Sequence, residues 1–239
     1  KRREGNLREK VSKQQKELSA LNKKIDDLIA YEIEQARKRA EAEAKRKAEA
    51  EAKRKAAAQQ KTAKGTSSAP KKQGASGGAA TKKQQSSSSF SSGSWLTASD
   101  EKLNGTFLQN KGRLPVPITG QYRISGRFGK YNVPGLKNVT LDNKGVNYVG
   151  KPGARARCVF DGEVTAVFQF SGSKNVLVRH GSYISVYCNL SSVIVRKGQK
   201  LKARDLIGTI QADESGNCIL HFQLRKETTK LNPEAWIGR

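Results

Sequence analysis

Reactive side chains are few in this chain. His180 and His221 are the two histidines, and Cys158, Cys188 and Cys218 the three cysteines. The cysteines lie far apart with no CxxC pair, so the spacing that builds a structural zinc cluster is missing. Three buried free thiols are expected; an oxidising compartment would permit one disulfide and leave one thiol over. No spacing assembles a Ser-His-Asp or Cys-His constellation, and no general base is assigned to Cys188. His180 precedes the turn glycine Gly181 and reads as a hydrogen-bonded structural histidine. The remaining chemistry is that of binding. Side chains alternate along a strand, so Ile219, His221, Gln223 and Arg225 share one face. A guanidinium on that face can clamp a carboxylate through two bonds; a merely solvated Arg225 is the alternative.

The elements that must hold these residues are β-strands. Residues 114–239 read as all-β, with Val, Ile, Phe and Tyr runs broken by glycines. Strands are predicted at Tyr122–Gly126, Glu163–Phe170, Asn175–Arg179, Ile184–Asn189, Leu206–Ile210 and Ile219–Leu224. Asp161-Gly162, His180-Gly181-Ser182 and Ser215-Gly216-Asn217 supply turns between them. Short hairpins at this spacing imply an antiparallel sheet folded on itself. Ahead of it, residues 95–111 form a lead-in. Ser99–Leu108 can form a short helix there, capped by Ser99, with Leu103, Phe107 and Leu108 on one side.

The first half is built differently. Leu7, Val11, Leu18, Leu21, Ile25 and Leu28 recur at steps of three and four, with Gln14 in the one polar slot. That a/d seam, flanked by Lys and Glu, predicts a coiled coil; the alternative is one amphipathic helix on a domain surface. After Ile33 the seam stops. The octet AEAEAKRK fills 40–47 and again 48–55, placing four Glu residues four positions before Lys. Such pairs support a solvated helix by roughly 0.2–0.5 kcal/mol each. Residues 1–58 are thus expected to be coiled coil and charged helix. The Ser, Gly, Lys and Gln of 59–94 are expected to form a flexible linker, and 112–239 the β domain.

Charge bounds the partners. The chain carries +25, with 24 basic and 11 acidic residues in 1–85 and the rest in the second half. This favours anionic partners: nucleic acid, anionic lipid or wall polymer. The basic tract 37–72 contains no aromatic residue, so only unspecific phosphate attraction, not specific nucleic-acid recognition, is expected. No apolar run is long enough to cross a bilayer.

Several motifs occur in one order. They are Ser125-Gly126-Arg127-Phe128-Gly129, then Lys151-Pro152-Gly153 and Cys158-Val159-Phe160-Asp161-Gly162-Glu163-Val164. Val178-Arg179-His180-Gly181, Tyr187-Cys188-Asn189-Leu190, Lys197-Gly198-Gln199 with Ile207-Gly208, and Leu220-His221-Phe222 follow. Residues 112–239 thereby resemble the lysostaphin-like (LytM) metallopeptidases. Active members of that family hold zinc through the His and Asp of HxGxD and the last His of HLH. The first His of HLH and the His of YxHL assist. Here those positions carry Asn143, Asn147, His221, Ile219 and Asn189. An amide is a poor zinc ligand beside imidazole or carboxylate, and one His cannot hold the ion against water. No metal, no cofactor and no catalytic residue is therefore expected.

The coiled-coil layout and the tail Asn232-Pro233-Glu234-Ala235-Trp236-Ile237-Gly238 are similar to the EnvC-like murein hydrolase activators. That likeness implies a Gram-negative periplasmic or envelope protein that switches on a peptidoglycan amidase during daughter-cell separation. It implies docking to a membrane division complex, or self-association, through the coiled coil. The partner groove would comprise Asn143, Asn189, His221, Gln223 and Arg225, with Arg225 at a position where activators carry a partner-binding arginine. The 99–108 helix would be its candidate cover, packing on the domain being the alternative. The rival readings are an active zinc murein endopeptidase and a peptidoglycan-binding module.

Overall fold

In the computed structural model, residues 2–62, 98–132 and 140–238 are described. The expected linker 59–94 lies almost wholly outside them. Two helices precede the sheet: α1 (Arg2–Thr62) and α2 (Ala98–Gln109). The strands are β1 (Tyr122–Gly126), β2 (Gly129–Asn132), β3 (Thr140–Asn143), β4 (Val146–Gly150), β5 (Arg155–Arg157) and β6 (Gly162–Phe170). There follow β7 (Ser173–His180), β8 (Tyr183–Val193), β9 (Lys200–Leu201), β10 (Leu206–Ile210), β11 (Cys218–Lys226) and β12 (Thr229–Leu231). A 3-10 turn, Pro233–Ala235, closes the chain.

The chain divides into two units, Lys1–Gln35 with Leu96–Arg239, and Ala36–Trp95. In the second unit the octet helix is solvent-exposed, and Lys47 pairs with Glu43 at 2.7 Å as the i,i+4 order anticipates. With alanine as its one apolar residue type, that segment has nothing to bury.

In the first unit the sheet runs β1-β4-β11-β8-β7-β6-β9, every pairing antiparallel. β10 joins β5 to β8, and β2 pairs with β3 alone. Alternation sorts the side chains. Val176, Val178, Tyr187, Leu220, Phe222 and Leu224 point into the principal core. Leu177, Ile184, Val186 and Cys188 point to the opposite face. That second face is not left to water: Ile25 and Ile29 of α1 are fully buried against it, with Leu21, Leu28 and Ile33 packed alongside. Burying each isoleucine is worth roughly 1.5–3 kcal/mol.

The seam of the first helix is thus spent within the chain. A coiled-coil seam is two positions wide, but here Ile29 and Ile33 broaden the stripe toward one side, as a helix lying flat on a sheet requires. Leu18, counted in the seam, stays 36% exposed.

The second helix sits where the lead-in helix was expected, beginning at Ala98. Its apolar face is narrower than expected: Phe107 is fully buried whereas Leu108 is 55% exposed. Phe107 stacks on Tyr183 and His180 and meets the edge of Phe160 and the ring of Trp236. Asp100 anchors the helix to Arg179 at 2.9 Å, and Ser182 donates to Asn104 at 2.8 Å. Gly181 permits this approach. It has φ +73°, and a Cβ there would stand 2.6 Å from the carbonyl oxygen of Asp100.

Candidate partner-binding groove

The former metal and catalytic positions meet where β4, β11 and β8 lie side by side and β3 ends. β11 lies between β4 and β8, with His221 opposite Asn147 on one side and Cys188 on the other. Asn143 ends β3, two residues before Gly145, whose missing side chain lets the β3–β4 turn press on β11. A Cβ there would fall 2.2 Å from the carbonyl oxygen of Phe222. Asn189 takes a left-handed conformation, φ 70°, which an asparagine tolerates. Its amide donates to the Ile219 carbonyl at 2.7 Å and accepts from Ser173 at 3.1 Å.

The donor set does not fit a catalytic zinc. Asn147 Oδ1 lies 2.7 Å from His221 Nδ1, so these two bond to each other. Asn143 Oδ1 accepts from the Gly145 N–H at 3.2 Å, and its Nδ2 is buried with no partner. Both amide oxygens are committed, and no carboxylate replaces them: among the described residues no three His, Cys, Asp or Glu side chains could share a metal ion. His221 is buried, and burial, then the charge of Arg225, lowers its pKa to about 4. The ring is neutral at physiological pH, as two opposed hydrogen bonds, one donated and one accepted, require.

From His221 a bonded chain runs along the strand. His221 Nε2 is 2.9 Å from Gln223 Nε2, which also donates to Asn22 Oδ1 at 2.9 Å. Gln223 Oε1 receives Arg225 Nε at 3.3 Å and Nη2 at 2.8 Å. Arg225 Nη1 pairs with Asp26, whose second oxygen takes Lys230 Nζ at 3.1 Å. Arg225 is fully buried. It is therefore not solvated, and its counterion comes from its own chain. Asp26 is drawn up by partial burial, but its bonds to Arg225 and Lys230 outweigh this and hold it below the usual carboxylate range.

α1 lies over this face. Besides Asn22 and Asp26, Gln15 donates to the Thr140 carbonyl at 2.8 Å, and Lys24 sits over the Phe168 ring while donating to the Gln169 carbonyl. Beneath it remains a cavity of about 370 Å³, roofed by Gln14, Glu17, Leu18 and Leu21 and floored by Asn143, Asn147, Asn189, Ile219 and His221. Cys188 also lines it, its thiol pushed up to about 12 by burial, with Arg225 opposing. While it is covered, a thiol so protonated is a poor nucleophile.

The family model for peptidase family M23 matches residues 142–233. Over residues 142–233 the β region of the chain is thus similar to the M23 (LytM-type) peptidases. An uncharacterized protein of Neisseria meningitidis is 34% identical over 133 residues, 55% of this chain and 21% of that one. The murein hydrolase activator NlpD of Escherichia coli is 30% identical over 98 residues, 40% of this chain and 26% of its own. Among solved structures, Helicobacter pylori Csd3 aligns with 28% identity and a TM-score of 0.44, over 53% of this chain and 35% of that chain. The chain spans about a fifth to a third of the length of these relatives.

Within the β domain, all the residues expected at the groove converge on one face or its floor. The candidate cover follows its alternative, packing on the domain away from the groove. α2 packs against the β7–β8 turn through Asp100, Asn104 and Phe107, and α1 supplies the helix over the groove. Asn22, Asp26 and Ile29 were the missed participants. Ile29 had a signal: with Ile33 it extends the seam on one side. His180 has the structural role expected of it, bonded to the Asp161 carbonyl and to Ser185 Oγ, both at 2.8 Å.

Proposed function

We propose that this protein is a non-catalytic activator of a peptidoglycan amidase in the Gram-negative envelope. The M23 groove serves as the docking surface, and α1 holds it shut. One observation carries the reading: Arg225, in the middle of the groove, is fully buried and satisfied by Asp26 of the same chain. A charged group so placed demands a carboxylate, and α1 occupies the seat that a partner's carboxylate would take. The amide-for-ligand exchanges at Asn143 and Asn147 support a binding role over a cutting one. The likeness to an activator of murein hydrolases and to lipoproteins supports the cell-wall setting. A membrane division complex that grips α1 would free the groove.

The test is an assay of a purified zinc amidase on labelled peptidoglycan. The full chain should stimulate weakly, and Asp26→Ala should stimulate more strongly. Arg225→Ala should abolish stimulation in the Asp26→Ala background. Cleavage of cross-linked peptidoglycan by this chain alone, with one zinc bound per chain, would overturn the reading in favour of an endopeptidase. Retention on insoluble peptidoglycan with no effect on any amidase would favour a wall-binding module.

A further inference from the structure

We infer that His221 is a positioning residue: it fixes the carboxamide of Gln223 and so aims Arg225 at a carboxylate across the groove. The inference rests on the proposed covering of the groove by α1, and it gives a use to the one former metal position that keeps its histidine.

The argument is one of donors and acceptors. Asn147 Oδ1 takes the Nδ1–H of His221, which leaves Nε2 with a lone pair. That lone pair accepts one N–H of Gln223, and Asn22 Oδ1 accepts the other. Gln223 Oε1 must then face Arg225, where it receives Nε and Nη2. With those two donors tied, Nη1 is directed at the level of Asp26. Reversing the Gln223 amide would set its nitrogen against guanidinium donors, and its oxygen against the imidazole lone pair and Asn22 Oδ1. Gln223 and Arg225 are both fully buried, so water cannot relieve such a mismatch. An amide at 147 satisfies the imidazole Nδ1–H without adding a charge to the floor. The same aim would apply to whatever replaces α1, so the groove selects a carboxylate rather than an amide at this point.

The experiment uses the full chain with two readouts. The first is the imidazole tautomer of His221 by ¹⁵N nuclear magnetic resonance; the second is the rate at which Cys188, which lines the cavity beneath α1, reacts with a maleimide. Wild-type His221 should show the Nδ1–H tautomer. Asp26→Asn serves as the control that loosens α1 directly and should raise the labelling rate. His221→Phe should raise it about tenfold, the scale of one charge-assisted hydrogen bond. His221→Gln keeps an acceptor near the position of Nε2 and should restore slow labelling. His221→Phe combined with Asp26→Asn should label no faster than Asp26→Asn alone, because both act on one bonded chain. An Nε2–H tautomer in the wild type, or His221→Phe labelling at the wild-type rate while Asp26→Asn labels faster, would overturn the positioning role. Unchanged labelling in Asp26→Asn would instead sink the covering of the groove by α1, and the inference with it.

Discussion

At the scale of residues, the groove is decided by protons held in particular places. His180 and His221 are both buried, with pKa values lowered to about 4, chiefly by burial. The unfolded chain takes up these protons near pH 6.5, before the folded one does. Stability is therefore complete above about 6.5 and declines as pH falls toward 4, by about 1.4 kcal/mol per unit of pKa difference for each histidine. Urea unfolding at pH 7.5 and 5.0 should show the midpoint falling; an unchanged midpoint would contradict neutral, buried imidazoles. Asp26 acts with the opposite chemistry. Its folded pKa is depressed, so its hold on α1 is present above the ordinary carboxylate range and is lost only as pH drops through the lowered value. Mild acid should weaken the domain before it breaks this pair. The chemistry of His221, Gln223 and Arg225 was legible in the sequence because strand alternation sets their common face. The partner Asp26 was not: it lies 199 positions away, and nothing in its neighbours marks it as a counterion for a buried arginine.

At the scale of elements, both helices take the alternative the sequence allowed: α1 lies on the domain surface and α2 packs against the domain. Replacing Phe107 by Ala should cost about 3–5 kcal/mol, since its ring fills the space among Tyr183, His180, Phe160 and Trp236. A chain beginning at residue 112 should be correspondingly less stable than one beginning at 98, as thermal melts would show. Ile25→Asp should expel α1 without harming the sheet, because a charge at that fully buried position is costly only while the helix is docked; faster maleimide labelling of Cys188 with an unchanged melt of the β domain would show it. β1 and β10 were read at both ends and β6, β7 and β11 to within two residues, but β8 was ended at Asn189, short of Val193. β4, which pairs with β11 in the middle of the sheet, was missed. It carries Asn147 and follows Lys144-Gly145, so it read as a polar motif rather than as a strand. The coiled-coil pattern was real as a helix signal. What a stripe cannot say is whether the face it meets belongs to another helix or to a sheet of the same chain.

At the scale of the whole molecule, the proposed function turns on how easily α1 leaves. Residues 98–239 should stimulate a purified amidase more than the full chain does. Equal stimulation would mean that the partner does not use the face α1 covers. The full chain should also become the stronger activator when Asp26 is neutralised, because one counterion of Arg225 is lost. The lid and its seat belong to one polypeptide, and that fixes the terms of any competition. A partner arriving from solution meets a rival whose local concentration does not fall on dilution. Its apparent affinity is its intrinsic affinity scaled by the fraction of molecules in the open form, so an open population of about 1% weakens binding about 100-fold. Any force or contact that sequesters α1 elsewhere would restore that factor without altering a single atom of the groove, and the response would rise with the occupancy of α1 rather than with the amount of amidase.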